Sequence, residues 1–115
     1  VSMSTYWGSN KTTVEHLGLR MGLTLSEITA SPFVAGSMFV AKLAALAPLG
    51  ALQLAADEFE PEDGQIDGTL AHAVERAIAL SVVSAGHRIS DTGEALGLRE
   101  SALINDNYGH AEAPP

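Results

Sequence analysis

Val14, Leu17, Met21, Leu25 and Ile28 recur at steps of three and four, which places them on one face of a helix despite Gly18 and Gly22. Thr12 or Thr13 is placed to cap that helix, and Glu15 and Glu27 suit helical positions. Ser31-Pro32 offers a second start, with serine as N-cap and proline in the first turn. Residues 33–56 are almost wholly apolar, Lys42 being their one charge, and Pro48 is expected to kink or interrupt a helix there. Residues 57–68 read DEFEPEDGQIDG: six carboxylates, a proline and two glycines, the pattern of a solvated turn. Asp67 or Thr69 can cap the next helix. Over residues 69–105, Leu70, Val74, Ala77, Ile78, Ala85, Ile89, Thr92, Leu96 and Leu103 form a stripe close to a heptad, widened by Val82. Gly86, Gly93 and Gly97 weaken such a helix by up to ~1 kcal/mol each relative to alanine, and leave room for another helix to approach. NDNYG at residues 105–109 reads as a stop. No strand-like alternation and no internal repeat appears.

These elements predict an all-α fold, a helical hairpin or small helical bundle in one domain with a long C-terminal helix. Residues 1–11 are expected to be a frayed N-terminus, 12–58 a first helical half, 59–68 the acidic turn, 69–105 the long helix and 106–115 a tail. Residues 33–56 are long enough to span a bilayer. Yet they are rich in Ala and Gly, carry Pro48 and a central Lys42, and lack flanking basic anchors, so a buried helix packed on a partner is the preferred reading.

Composition narrows the function classes. The chain has 115 residues and a formal net charge of -8. Lys11, Arg20, Lys42, Arg76, Arg88 and Arg99 are scattered and form no basic stripe, which speaks against nucleic acid and against docking on an anionic membrane. The absence of cysteine excludes disulfides, thiolate catalysis and Cys-based metal sites. The first ten residues lack the basic start and apolar run of a secretory signal peptide. An alanine-rich core is shallow per residue, so a partner subunit is expected to help stabilise it.

Candidate chemistry is sparse. Counting a calcium loop back from Gly68 puts Asp63, Gln65 and Asp67 at the first, third and fifth positions, but Val74 stands where the closing acid is required. A plain solvated turn is preferred. His16, His72, His87 and His110 include no pair at the four-residue spacing of helical metal ligands. Ser84, His87 and Asp91 share a helical face, as do His72 and Glu75, but one straight helix spreads such groups along its axis and supplies no oxyanion hole. They read as a polar helix flank. No phosphate-binding glycine loop is present. No enzyme activity, cofactor or metal is expected. Tyr6-Trp7 reads equally as a segment folded back on the helices or as an anchor for a partner.

Residues 69–112, which include AIALSVVSAGHRISDTGEALGLRESALINDNYG, resemble the closing helix of small type VII secretion substrates, the WXG-type hairpins and their EspC-like relatives. The resemblance rests on Ala85-Gly86-His87-Arg88-Ile89, matching an AG-x-x-[I/L] stretch, and on Tyr108 with Glu112 four residues later, the spacing of an export motif. Trp7-Gly8 stands at the start of the chain, whereas those families place Trp-x-Gly between their helices. The resemblance implies a non-enzymatic protein, cytoplasmic before export without a signal peptide, that dimerises or pairs with a similar chain. Trp7, Ile78, Ala85, Ile89, Leu96 and Leu103 would then serve as interaction residues and Tyr108 and Glu112 as the signal. A phage or virion structural subunit and a membrane-inserting protein using residues 33–56 are the alternative expectations.

Overall fold

The computed structural model describes Met3 and residues 6–95. Among the described residues the fold is all-α, without a strand. Helices α1 (Lys11–Arg20), α2 (Leu25–Ala30), α3 (Ala47–Gly50), α4 (Leu70–Ser84) and α5 (Thr92–Ala95) are joined by short 3-10 turns at Gly8–Asn10, Ala35–Ser37, Leu43–Leu46 and Ala56–Glu58. The architecture is a small bundle in which α1, α3 and the 3-10 turn Leu43–Leu46 all pack on α4, and α2 packs on α1.

The first apolar stripe is real, but two helices carry it. Gly22 takes φ +87, the Leu23 N–H donates to the Gly18 carbonyl at 3.1 Å, and the Gly22 N–H donates to Leu19 at 3.0 Å. That is the double hydrogen bond of a Schellman stop. Thr24 then caps α2 in a capping box: the Glu27 N–H donates to Thr24 Oγ1 at 3.1 Å, and the Thr24 N–H donates to Glu27 Oε1 at 2.9 Å. Val14, Leu17, Met21 and Ile28 keep their common face and are buried, while Leu25 is half exposed. Ser31-Pro32 starts nothing. Ser31 is the extended C-cap of α2 (φ -66, ψ 144), as the ring of a following proline requires.

Residues 33–56 are not the buried continuous helix expected of them. Val34, Met38 and Lys42 have extended dihedrals, and Gly36 turns the chain at φ +80. Pro48 lies in the first turn of α3, where its missing N–H costs nothing, so it begins a short helix and does not kink a long one. Among the described residues no helix is long and apolar enough to cross a membrane. The reading of one helix over residues 69–105 is also corrected. α4 ends at Ser84, because the His87 N–H donates to the Val82 carbonyl and the Gly86 N–H to Val83, each at 3.0 Å, with Gly86 at φ +80. This second Schellman stop turns what read as a weak point in a helix into its end.

The core gathers Met3, Val14, Leu17, Met21, Leu23, Ile28, Phe33, Leu52, Ala73, Ala77 and Leu80. Burying each large aliphatic side chain contributes ~1.5–3 kcal/mol. Gly18 lets α1 come close: a Cβ there would lie 2.6 Å from Ile28 Cδ1 and 3.2 Å from Leu80 Cδ1. Residues 79–82 of α4 are buried in succession, on every face, because α3 and the turn before it cover the side that α1 does not. The N-terminal segment expected to fray is pinned. Met3 is fully buried and donates its N–H to Ser31 at 2.9 Å, and Tyr6 and Trp7 pack against the core.

Candidate functional site

Two features stand out: a polar knot at the N-terminal end of α4, and an apolar loop beside its middle. The knot joins three distant stretches of chain. Asp67 accepts the Ser9 N–H on Oδ2 at 2.8 Å and the Asn10 side-chain amide on Oδ1 at 2.6 Å. The same Asn10 amide nitrogen donates to the Trp7 carbonyl at 2.9 Å, and Asn10 Oδ1 accepts the Gly68 N–H at 3.2 Å. Arg76, nearly two turns into α4, donates from Nε to the Tyr6 carbonyl at 2.8 Å and from Nη1 to the His72 carbonyl at 3.0 Å. Its guanidinium stacks 5.1 Å from the centre of the Phe33 ring.

The start of α4 is capped twice over. Glu60 Oε1 accepts the Leu70 N–H at 2.8 Å, bringing a negative charge to the positive end of the helix. Thr69 Oγ1 accepts the His72 N–H at 3.4 Å and lies 2.7 Å from His72 Nδ1, in a bond whose direction depends on the imidazole tautomer. Backbone donation from Ser9 and side-chain donation from Asn10 hold the Asp67 carboxyl below its ordinary value, and donation from Leu70 does the same for Glu60. A general acid needs the opposite shift. The knot therefore has the chemistry of a fastener: its carboxylates are favoured as anions, and its donors are spent on those carboxylates and on backbone carbonyls.

The residues singled out from sequence fall in several places. Trp7 is half-buried against the core, with Lys11 Nζ 5.7 Å from its ring centre. Ile78, Ala85 and Ile89 are half-buried. Leu96, Leu103, Tyr108 and Glu112 lie outside the described residues. The flank Ser84, His87 and Asp91 does not share a helix, since α4 stops between the first two; Ser84 Oγ donates to the Met21 carbonyl at 2.7 Å. His72 and Glu75 also separate in role: His72 caps α4, whereas Glu75 accepts the Gly36 N–H at 3.1 Å. The acidic turn is exposed over residues 60–66, and among the described residues no group of three potential ligands is placed to hold a metal ion.

The apolar loop was missed from sequence as a surface. Met38, Val40 and Leu43 are 84%, 102% and 85% exposed and Phe39 is 40% exposed, whereas among the described residues the other exposed large apolar side chains, Leu19, Leu25 and Ile66, are scattered. The readable signal was the break itself, Gly36 and then Lys42 in a stretch otherwise taken for one helix.

The family model described as rhamnan synthesis protein F matches residues 2–86. The chain belongs to that family. Two proteins described as the uncharacterized protein WxcX, from Xanthomonas campestris pv. campestris strains B100 and ATCC 33913, are each 43% identical to it over 113 residues. The match covers 98% of this chain and 16% of each relative, so the chain spans about one sixth of the length of the curated relatives it matches. No solved structure matches it. Membership of the rhamnan synthesis protein F family overturns the type VII secretion resemblance, and with it the secretion-substrate function and the virion-subunit alternative. Structure supplies the physical reason. The Ala85–Ile89 stretch that carried the resemblance is the C-cap turn of α4 and its exit, not part of a long hairpin helix.

Proposed function

We propose that this chain works in the synthesis of a rhamnose-containing polysaccharide, as a helical module that joins other components of the machinery and does not itself transfer sugar. The observation that carries the reading is the coincidence of the family match with the fold. Residues 2–86 run from the pinned N-terminal segment to the glycine that closes α4. What the family shares is thus the bundle built on α4, and the polar groups inside that bundle are engaged in holding it together. The carboxylates with shifted ionisation are pushed toward the anion, which supports a structural role for them.

The test is genetic and then biochemical. Deleting the gene in its host and measuring the monosaccharide composition of the extracted polysaccharides should lower the rhamnose content, and the intact gene supplied in trans should restore it. Unchanged rhamnose would overturn the assignment to this synthesis. Purified chain incubated with a nucleotide-activated rhamnose and a rhamnan acceptor should give no transfer. Turnover by the chain alone would retain the pathway and reject the non-catalytic role.

A further inference from the structure

The loop at residues 37–44 is held out from the bundle by its own anchors. Before it, the Gly36 N–H donates to Glu75 Oε2 at 3.1 Å. After it, the Ala45 carbonyl accepts from Ser81 Oγ at 2.9 Å, and the Leu49 N–H donates to the same hydroxyl at 3.0 Å. Glu75 and Ser81 are separated by about 9 Å of helix axis, whereas the chain from Gly36 to Ala45 can reach about 30 Å. The slack bows outward. It carries Met38, Phe39, Val40 and Leu43 away from the core, with the backbone extended at Met38 and Lys42. A soluble domain seldom displays four large apolar side chains in six residues without a surface to meet them.

Three occupants compete. An anionic membrane is disfavoured by the net charge of -8 and by a single cation, Lys42, on the loop. A second copy would present the same loop; two such loops meeting cover a handful of side chains, well short of the ~20–30 residues a side of a stable interface. The remaining candidate is a larger protein surface with a concave seat. The relatives point to one: in each WxcX protein the matching segment is 16% of the chain, joined to a polypeptide about five times its size. We propose that Met38, Phe39, Val40 and Leu43 dock into a hydrophobic seat on the polypeptide that makes up the rest of a WxcX-type protein. The docking inference rests on family membership and not on the sugar the machinery handles, so loss of either reading leaves the other to stand on its own test.

The chain has no cysteine, so V40C and S26C each introduce a unique thiol, at the loop and at an exposed position of α2. Maleimide labelling is read by peptide mass spectrometry in the isolated chain and in WxcX whose matching 113 residues are replaced by this chain. The V40C thiol should label at least ten-fold more slowly in the chimera than in isolation, and the S26C thiol at similar rates in both. Equal V40C rates would overturn the proposal. If the chimera does not fold, hydrogen exchange of the matching loop in intact WxcX decides: protected amides support docking, and exchange at the rate of an open loop refutes it. Sedimentation of the isolated chain should show a monomer. A dimer abolished by V40D, or V40C protection by phosphatidylcholine vesicles, would identify a second copy or a lipid surface as the occupant and overturn the assignment.

Discussion

Asn10 is 2% exposed and uses its side chain fully: one amide nitrogen serves Trp7 and Asp67, and the oxygen serves Gly68. A buried amide left half-bonded costs ~1–3 kcal/mol, so Asp67 is what makes this burial tolerable. The carboxylate has its own pH signature. Because donors from Ser9 and Asn10 favour its charged form, the folded chain binds this proton more weakly than the unfolded chain does. The stability it contributes is complete above the ordinary value of 3.8 and is lost as pH falls through the lower, folded value. D67N should therefore lose about 1 kcal/mol at neutral pH, a modest figure because the group is partly solvated. The variant and the parent should begin to converge as pH falls below 3.8, with the deficit gone only below the lower, folded value. Urea unfolding at pH 7 and pH 3 measures both differences, and an equal deficit at the two values would show that the Asp67 charge contributes nothing.

At the scale of elements, one hydroxyl ties α4 both to α3 and to the 3-10 turn before it. Ser81 is fully buried, accepts from Leu49 and donates to Ala45. S81A keeps the volume but strands the Leu49 N–H, at a cost of ~1–3 kcal/mol. We expect a lower denaturation midpoint with unchanged slope, and faster hydrogen exchange at Leu49 than in the parent chain. Exchange unaltered there would show that α3 does not depend on the contact. Part of the element list was legible: the α1 stripe, the acidic turn and the Thr69 cap all arise from local chemistry, whereas the helix read over residues 33–56 is absent. Where they end was less so. Gly22 with Thr24-x-x-Glu27 is a readable stop-and-start signal, obscured by a stripe that continues across it. Gly86 reads as weak helix or firm stop depending on the next residue, and only the donation from His87 settles it. Ser81 was not legible at all, because a serine in an apolar run declares nothing about a partner 36 positions earlier in the chain.

Across the whole molecule, the knot decides whether the N-terminal segment belongs to the cooperative unit. Met3, Tyr6 and Trp7 contribute apolar surface to the core, yet apart from the Met3 N–H donation to Ser31 their attachment runs through Arg76, Asn10 and Asp67 and not through a helix of their own. The same three residues were unreadable as a site, since Tyr6 and Arg76 are 70 positions apart and the carbonyl of one is invisible in a sequence pattern. Trp7 is the chain's one tryptophan, so its fluorescence reports this segment, while far-ultraviolet circular dichroism is dominated by α1 and α4. In the parent chain the two signals should change together in urea, as expected of a single two-state transition. R76M keeps an apolar stem to lie on Phe33 but removes the donation to Tyr6, an interaction worth ~1.5–3 kcal/mol for a charged donor. The Trp7 transition should then move to lower urea than the helical one, because the segment can leave while Val14, Leu17, Ile28 and Leu80 stay packed. Coincident transitions in R76M would mean that burial of Met3 alone ties the segment down, and that the knot adds stability without setting the boundary of the fold.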